Sequence, residues 1–291
     1  MAGYSLEIKC EDERMVSYLE QEFQKFAGGD GSDISIDLSV VRVDGDAPGA
    51  VRRDCVRLPV PGGSTLDVEW HKDAGNIRLD ATAYTAGENR QDNGLFVESF
   101  LANYTFSLVL QQLRRERVDE LFLVHSCGVE KDGRAFLFAG RSGSGKSTIG
   151  MKLLARGERV LGDDMIPVSR GEAGWQAHAS PMGGDIPRPL LANTSAPLEA
   201  VYFLEHSGEN ICRRLDTTQA LASLMSSVVP AQEIKYSVRQ SIDEYDHESL
   251  SVLMHDASML ASEVPCFSLS YLFDEQPWEQ IFQVTTNKEG V

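Results

Sequence analysis

The chain has 291 residues, enough to bury a large core in one big domain or two smaller ones. Its 42% hydrophobic and 24% charged residues are those of an ordinary globular protein, and a net charge of -17 repels nucleic acid and anionic membrane, which excludes both as expected partners. Five scattered cysteines without C-x-x-C spacing argue against a disulfide framework or a zinc site, and the acidic first dozen residues against a signal peptide, so the expected location is cytoplasmic.

Residues 4–10 alternate as a strand does. Residues 11–26 carry Met15, Leu19, Phe23 and Phe26 at helical spacing, with Glu11 or Asp12 at the start and Gly28-Gly29 as the stop. Residues 34–43 set Ile34, Ile36, Leu38 and Val40 against Ser35, Asp37 and Ser39, the period of a half-buried strand. After a polar turn at 44–49, residues 56–60, 65–71 and 76–84 read as strands, the last two joined by a hairpin loop at 72–75. The segment 1–94 is therefore expected to be a small α+β module with a mostly antiparallel sheet. It holds no catalytic constellation, and His71, beside the hairpin turn, is expected to be solvated.

Residues 95–117 form a long helical pattern with Phe96, Phe100, Leu101, Tyr104, Leu108, Leu110 and Leu113, apolar enough to be buried between two halves. This places the boundary near Asp92-Asn93-Gly94 and a second domain at 95–291. The basic run Arg114-Arg115-Glu116-Arg117 complements the dipole at that helix's end.

Residues 121–129 and 134–139 flank Glu130-Lys131-Asp132-Gly133, a hairpin signal. The second arm runs into Gly140-Arg141-Ser142-Gly143-Ser144-Gly145-Lys146-Ser147, an unbroken match to the phosphate-binding pattern G-x-x-x-x-G-K-[ST], with Thr148 following. Residues 147–156 read as a helix stopped by Gly157. The motif thus lies where its chemistry requires, between a strand and a helix N-terminus. Its glycines let backbone N–H groups curl around phosphate oxygens, and the helix end adds partial positive charge. Lys146 is placed to reach the outer phosphates and the Ser147 hydroxyl to bind Mg²⁺, so ATP with Mg²⁺ is the expected ligand.

Residues 159–161 form a short strand expected to end at Gly162-Asp163-Asp164, with the two acids 16 and 17 residues beyond Ser147. In most P-loop NTPases the acidic partner lies farther along. Residues 165–169 and 175–179 suggest a further hairpin, 198–205 a strand, 217–229 and 243–263 helices, and 266–273 a closing strand. There is no internal repeat.

The stretch 125–164 resembles the catalytic domain of HPr kinase/phosphorylase, which shares a P-loop fold with phosphoenolpyruvate carboxykinase. That family's pattern is a His at the start of a strand, a hairpin, the P-loop, a helix ending in Arg-Gly, and a strand ending in Asp-Asp. Here these are His125, Gly140 to Ser147, Arg156-Gly157 and Asp163-Asp164. The resemblance implies a divergent member: an α/β protein with a mixed sheet in the P-loop domain, preceded by the small α+β module. The family's Glu-x-Arg-Gly segment, whose Glu contributes to metal binding and which is tied to the reverse, phosphorolytic reaction, is absent. The corresponding region reads Ser180-Pro181-Met182-Gly183-Gly184-Asp185-Ile186-Pro187-Arg188, in which a flexible glycine pair precedes Asp185 and Arg188, the candidate substitutes, Asp185 as a metal ligand.

Phosphoryl transfer asks for positioning and charge neutralisation more than covalent catalysis. The candidate set is Lys146 with the loop from Gly140 to Thr148 on the nucleotide, Ser147, Asp164 and Asp185 on the metal, and Asp163 as general base, with the roles of the two aspartates open to exchange. Neighbours on a strand point to opposite faces, so the pair is expected to share a site only if the strand ends there. His125 is a satisfied core histidine or, as the resemblance implies, an orienter of the base or a phosphate neighbour. Cys127 points to the same face as His125 with nothing to activate it, and His178, His206, His247 and His255 lack ligand spacing. The leading expectation is an ATP-dependent kinase acting on a Ser or similar hydroxyl of a protein, peptide or small molecule. A nucleotide-binding regulatory module and a carboxykinase-type lyase are the alternatives, and homo-oligomerisation stays open.

Overall fold

The computed structural model describes residues 5–28, 34–43, 56–60, 64–73, 76–86, 98–99, 102–103, 105–106, 109, 122–182, 184–205, 209–227, 247–272 and 281–282. The expected turn at 44–49, Gly29, Cys55, Asp92-Asn93-Gly94, the apolar set Phe96, Phe100, Leu101, Tyr104, Leu108, Leu110 and Leu113, the run Arg114 to Arg117, Gly183, His206 and the helix positions 228–229 and 243–246 lie outside the described residues. The described residues divide into two compact units, one within residues 5–109 and the other within 122–282.

The first unit is a five-stranded sheet built from β1 (Leu6–Cys10), β2 (Ile34–Val43), β3 (Val56–Val60), β4 (Ser64–Asp73) and β5 (Asn76–Ala86), in the order β1-β2-β5-β4-β3. Between β1 and β2 runs helix α1 (Glu13–Glu22), whose first turn is capped by Asp12 Oδ1 accepting from Met15 N at 2.9 Å. Such a cap contributes about 1 kcal/mol. Met15, Tyr18 and Phe23 are buried, so Tyr18 takes the place expected of Leu19. The described residues between 98 and 109 are helical, and Phe106 packs on Phe23 with ring centroids 5.0 Å apart.

The expectation of a mostly antiparallel sheet is corrected here: β1–β2 and β2–β5 are parallel, while β5–β4 and β4–β3 are antiparallel. A helix between two strands returns the chain in the same direction, so α1 makes β1 and β2 parallel. The β4–β5 hairpin is as expected, with Asp73 paired to Asn76. His71 is not simply solvated; its Nε2 lies 2.9 Å from Asp80 Oδ2 on the neighbouring strand.

The second unit is a seven-stranded mixed sheet of β6 (Phe122–Lys131), β7 (Arg134–Ala139), β8 (Arg159–Gly171), β9 (Gly174–His178), β10 (Ser195–Glu205), β11 (Ile211–Arg214) and β12 (Cys266–Ser270), ordered β11-β12-β10-β7-β6-β8-β9. Strands β7, β10 and β12 are mutually parallel, and β6 runs antiparallel between β7 and β8. The β6–β7 turn has positive φ at Asp132 (52°) and Gly133 (77°), the two-residue geometry that suits the twist of a hairpin. Among the described residues the unit also has the helices α2 (Lys146–Leu154), α3 (Thr217–Ser227) and α4 (His247–Glu263). One face of the sheet, with Leu137, Val201 and Cys266, forms a core with Ala220 and Leu224 of α3 and Ala257 and Leu260 of α4. Alternate residues face the other way. There Phe138, Tyr202 and Phe267 stack across three strands with centroids 5.4 and 5.2 Å apart. Among the described residues no helix is long and apolar enough to cross a membrane.

Two expectations fail within β8. It is one strand of 13 residues, with no break at Gly162-Asp163-Asp164 and no separate strand at 165–169. The cause is its partner: β6 offers a ladder from Arg159 to Val168, through the acidic pair, and a register shift beside Gly128 absorbs the irregularity. Strand β11 was not expected at all.

Candidate active site

The P-loop follows β7 without a break and turns into α2 at Gly145, whose φ of 95° is left-handed, as is the 81° of Gly143. A side chain at either position would be strained. The helix ends as expected at Gly157, φ 92°, where Glu158 N bonds back to Leu153 O. Lys146, 9% exposed, lies along the loop with its Nζ donating to Gly140 O at 3.0 Å and Arg141 O at 3.2 Å. Arg141, Ser142 and Gly143 are exposed, as is Thr148 at the start of the helix. Ser144 is buried, and its Oγ has no hydrogen-bond partner.

The loop is also held from outside the motif. Tyr271, just beyond β12, is buried and donates its hydroxyl to Gly145 O at 3.0 Å. Burial pushes this phenol up to about 12, so it acts as a donor throughout the physiological range. Local reading could not find Tyr271, because its partner lies 126 residues away. Cys127 pairs with Phe138 on the face covered by α2, and its thiol lies where Gly150 approaches β6. It is fully buried, which raises its pKa well above the usual thiol value, and the neighbouring Asp163 charge raises it further. These surroundings disfavour the reactive thiolate.

The two aspartates occupy different surroundings. Asp163 pairs across the ladder with Cys127 and is 4% exposed. Its Oδ2 accepts from Ile186 N at 2.9 Å, and the Ser147 hydroxyl and Asp185 N–H also hydrogen-bond to the carboxylate. Burial nevertheless raises its pKa, with the Asp185 charge adding to the effect. Its Oδ1 is buried without a hydrogen-bond partner. Asp164 pairs with Ser126, its side chain is 36% exposed, and its Oδ1 lies 3.5 Å from Nδ1 of the half-buried His125.

The sequence set Ser147 with Asp164 on a metal; the structure brings Ser147 to Asp163 and puts Asp164 with His125. Asp185 is exposed and comes to the site through its backbone N–H and its charge. Among the described residues no three His, Cys, Asp or Glu side chains converge as a metal cluster. Arg188 is buried and its Nε donates to Pro181 O at 2.7 Å, so it braces its own loop. His178 is a core histidine held between Ser169 Oγ (2.7 Å) and Ser195 Oγ (2.9 Å). The donor set suits a phosphate chain with a divalent cation: a loop of amides, a lysine, a hydroxyl beside a carboxylate, and an unpartnered carboxylate oxygen next to that hydroxyl.

A glycine-rich loop between strand and helix, on a large mixed sheet, defines a mixed α/β protein, and comparison with known families narrows it. Residues 100–286 match the model of the SynChlorMet cassette protein ScmC, and the chain belongs to that family. It is also similar to the HPr kinase/phosphorylases of two strains of Leptospira biflexa serovar Patoc, at 29% identity over 103 residues, or 32% of this chain and 32% of each relative. The chain thus matches about a third of the length of these curated relatives. Among solved structures, the Hpr(Ser) kinase/phosphatase from Coxiella burnetii aligns with 56% of this chain and 93% of its own at 10% identity and a TM-score of 0.31. The similarity to HPr kinase/phosphorylase implied by the motif spacing is therefore present, in divergent form.

Proposed function

We propose that this protein is an ATP- and Mg²⁺-dependent phosphotransferase acting on a hydroxyl of a protein, peptide or small molecule. The observation that carries this reading is the Ser147–Asp163 contact at the first turn of the P-loop helix, with Lys146 beside it and Asp163 Oδ1 unpartnered. Ser147 and Asp163 would hold Mg²⁺, with Asp185 next to them, and the loop from Gly140 to Thr148 would hold the phosphates. Mg²⁺, when bound, neutralises charge on the transferred group.

The exchanged assignment of the aspartates fits better than the first one. Asp163 is fixed by amides in the interior beside the P-loop serine, a position for holding a cation rather than for meeting an acceptor. Asp164 is more open and lies against His125, so it is placed to take the proton of an attacking hydroxyl while the imidazole holds its orientation. Similarity to HPr kinase/phosphorylase supports the reaction class.

One observation favours a second reading, a nucleotide-binding regulatory module: no third acidic or histidine ligand completes a metal cluster among the described residues. Calorimetry separates the readings in two steps. ATP with Mg²⁺ should bind the protein, and Lys146→Ala should lose most of that affinity; unchanged affinity in the variant would overturn both readings. Turnover of the γ-phosphate, with candidate acceptors added, then decides between them.

A further inference from the structure

We propose that Gly184 and Gly150 are positioning residues, which let the segment 184–186 lock Asp163 against the P-loop helix; the inference rests on the nucleotide reading above. Each contact of this segment depends on a missing side chain. A Cβ on Gly184 would fall 1.7 Å from Asp163 O and 2.8 Å from Asp163 Oδ2, so only glycine lets the backbone pass this close. From that approach the next two residues turn their N–H groups onto the Asp163 carboxylate, Ile186 N at 2.9 Å from Oδ2.

The same segment grips the helix with its side chain. Ile186 is buried, and a Cβ on Gly150 would lie 2.8 Å from Ile186 Cδ1 and 2.5 Å from Cys127 Sγ. Gly150 is three residues beyond Ser147, so Ile186 bears on α2 about one turn from the hydroxyl that meets Asp163. Both partners of the Ser147–Asp163 contact are therefore held by one short segment, Asp163 through amides and Ser147 through the helix. Behind it, Arg188 Nε donates to Pro181 O and closes the neck of the loop, so the clamp is fastened at its base. The glycine at 184 is thus not a flexible hinge but a close-approach position.

Outer-shell groups that orient a metal ligand alter metal affinity by ~10–100-fold when removed. The test is the affinity for ATP, by calorimetry, with excess Mg²⁺ and with a chelator, in the unmodified protein, Gly184→Ala, Gly150→Ala and a control, Gly171→Ala, where a Cβ meets nothing within 4 Å. The unmodified protein and the control should bind ATP more tightly with Mg²⁺. Gly184→Ala should lose ~10-fold or more of that Mg²⁺-dependent gain and keep its Mg²⁺-free affinity within a few-fold. Gly150→Ala should shift the same way by less, since the two atoms its Cβ would meet, Cys127 Sγ and Ile186 Cδ1, are both side-chain ends rather than backbone.

A Gly184→Ala protein that folds and keeps the full gain overturns the inference alone, as does one that loses both affinities equally. If it is recovered unfolded, Gly150→Ala decides. Alanine is the better helix former, so a folded Gly150→Ala protein with the full Mg²⁺ gain overturns the proposal. Failure of the unmodified protein to bind ATP would overturn the nucleotide reading, and the inference with it.

Discussion

At the scale of the residue, burial and partners separate two carboxylates that are adjacent in sequence. Asp163 has amide donors and Ser147; Asp164 has His125 and solvent. Their substitutions should therefore fail differently. Asp164→Asn should lower turnover by ~10²–10⁴, the usual contribution of general base catalysis, with Mg²⁺-ATP affinity within a few-fold. Asp163→Asn should lose the Mg²⁺-dependent part of ATP binding itself. Turnover kinetics beside calorimetry on both variants check this, and the opposite pattern would restore the first assignment, Asp163 as base. The sequence made both residues visible, because a P-loop is contiguous and the acids follow it closely. It did not reveal which acid meets Ser147, since that depends on strand pairing. Nor did it reveal Tyr271 or the amides of Asp185 and Ile186, whose partners lie 126 and 23 residues away for Tyr271 and Ile186.

At the scale of the element, local signals served where structure is local and misled where a neighbour decides. The hairpin before the P-loop was legible from Asp132-Gly133, and the end of α2 from Gly157. The break at Gly162-Asp163-Asp164 was not real, because β6 supplies hydrogen bonds through a stretch whose composition alone says turn. Strand β11, only four residues long, owes its place to pairing with β12 and carries little pattern of its own.

The β6–β7 hairpin also bears a pH-dependent contact. The Arg159 guanidinium against Glu130 holds that carboxyl below its usual range, and Glu130 Oε1 also accepts from Gly133 N at 2.7 Å. A carboxylate with a depressed folded-state pKa adds stability above its unfolded pKa, near 4.3, and loses it as pH falls through the folded value. Glu130→Gln should thus lower the melting temperature at pH 7, and the gap to the unmodified protein should close as acid protonates the carboxylate below about pH 4. A gap of the same size at acid and neutral pH would show that the pair contributes nothing through its charge.

At the scale of the whole molecule, a net charge of -17 bears on how readily a second anion can be held beside the first. Phosphorolysis, the reverse reaction of HPr kinase/phosphorylases, brings inorganic phosphate up to a phosphorylated product and so holds a second anion beside the first. Two unit charges 4 Å apart at an effective dielectric near 20 repel by about 4 kcal/mol, which the site must offset with its own cations or donors. Here the loop's donors are engaged within the protein. Arg188 is buried and donates to Pro181 O, and the Asp185 and Ile186 amides are directed to Asp163. Asp163, Asp164 and Asp185 add negative charge to the same region, which a second anion arriving without a neutralising cation must face. The forward reaction needs no second anion and is compatible with this arrangement. The protein should therefore phosphorylate its acceptor and perform little phosphorolysis. Incubating the phosphorylated product with enzyme and inorganic phosphate, and following pyrophosphate release, measures this directly. Release at a rate comparable to the forward reaction would mean that the loop from Pro181 to Arg188 accommodates the second anion after all.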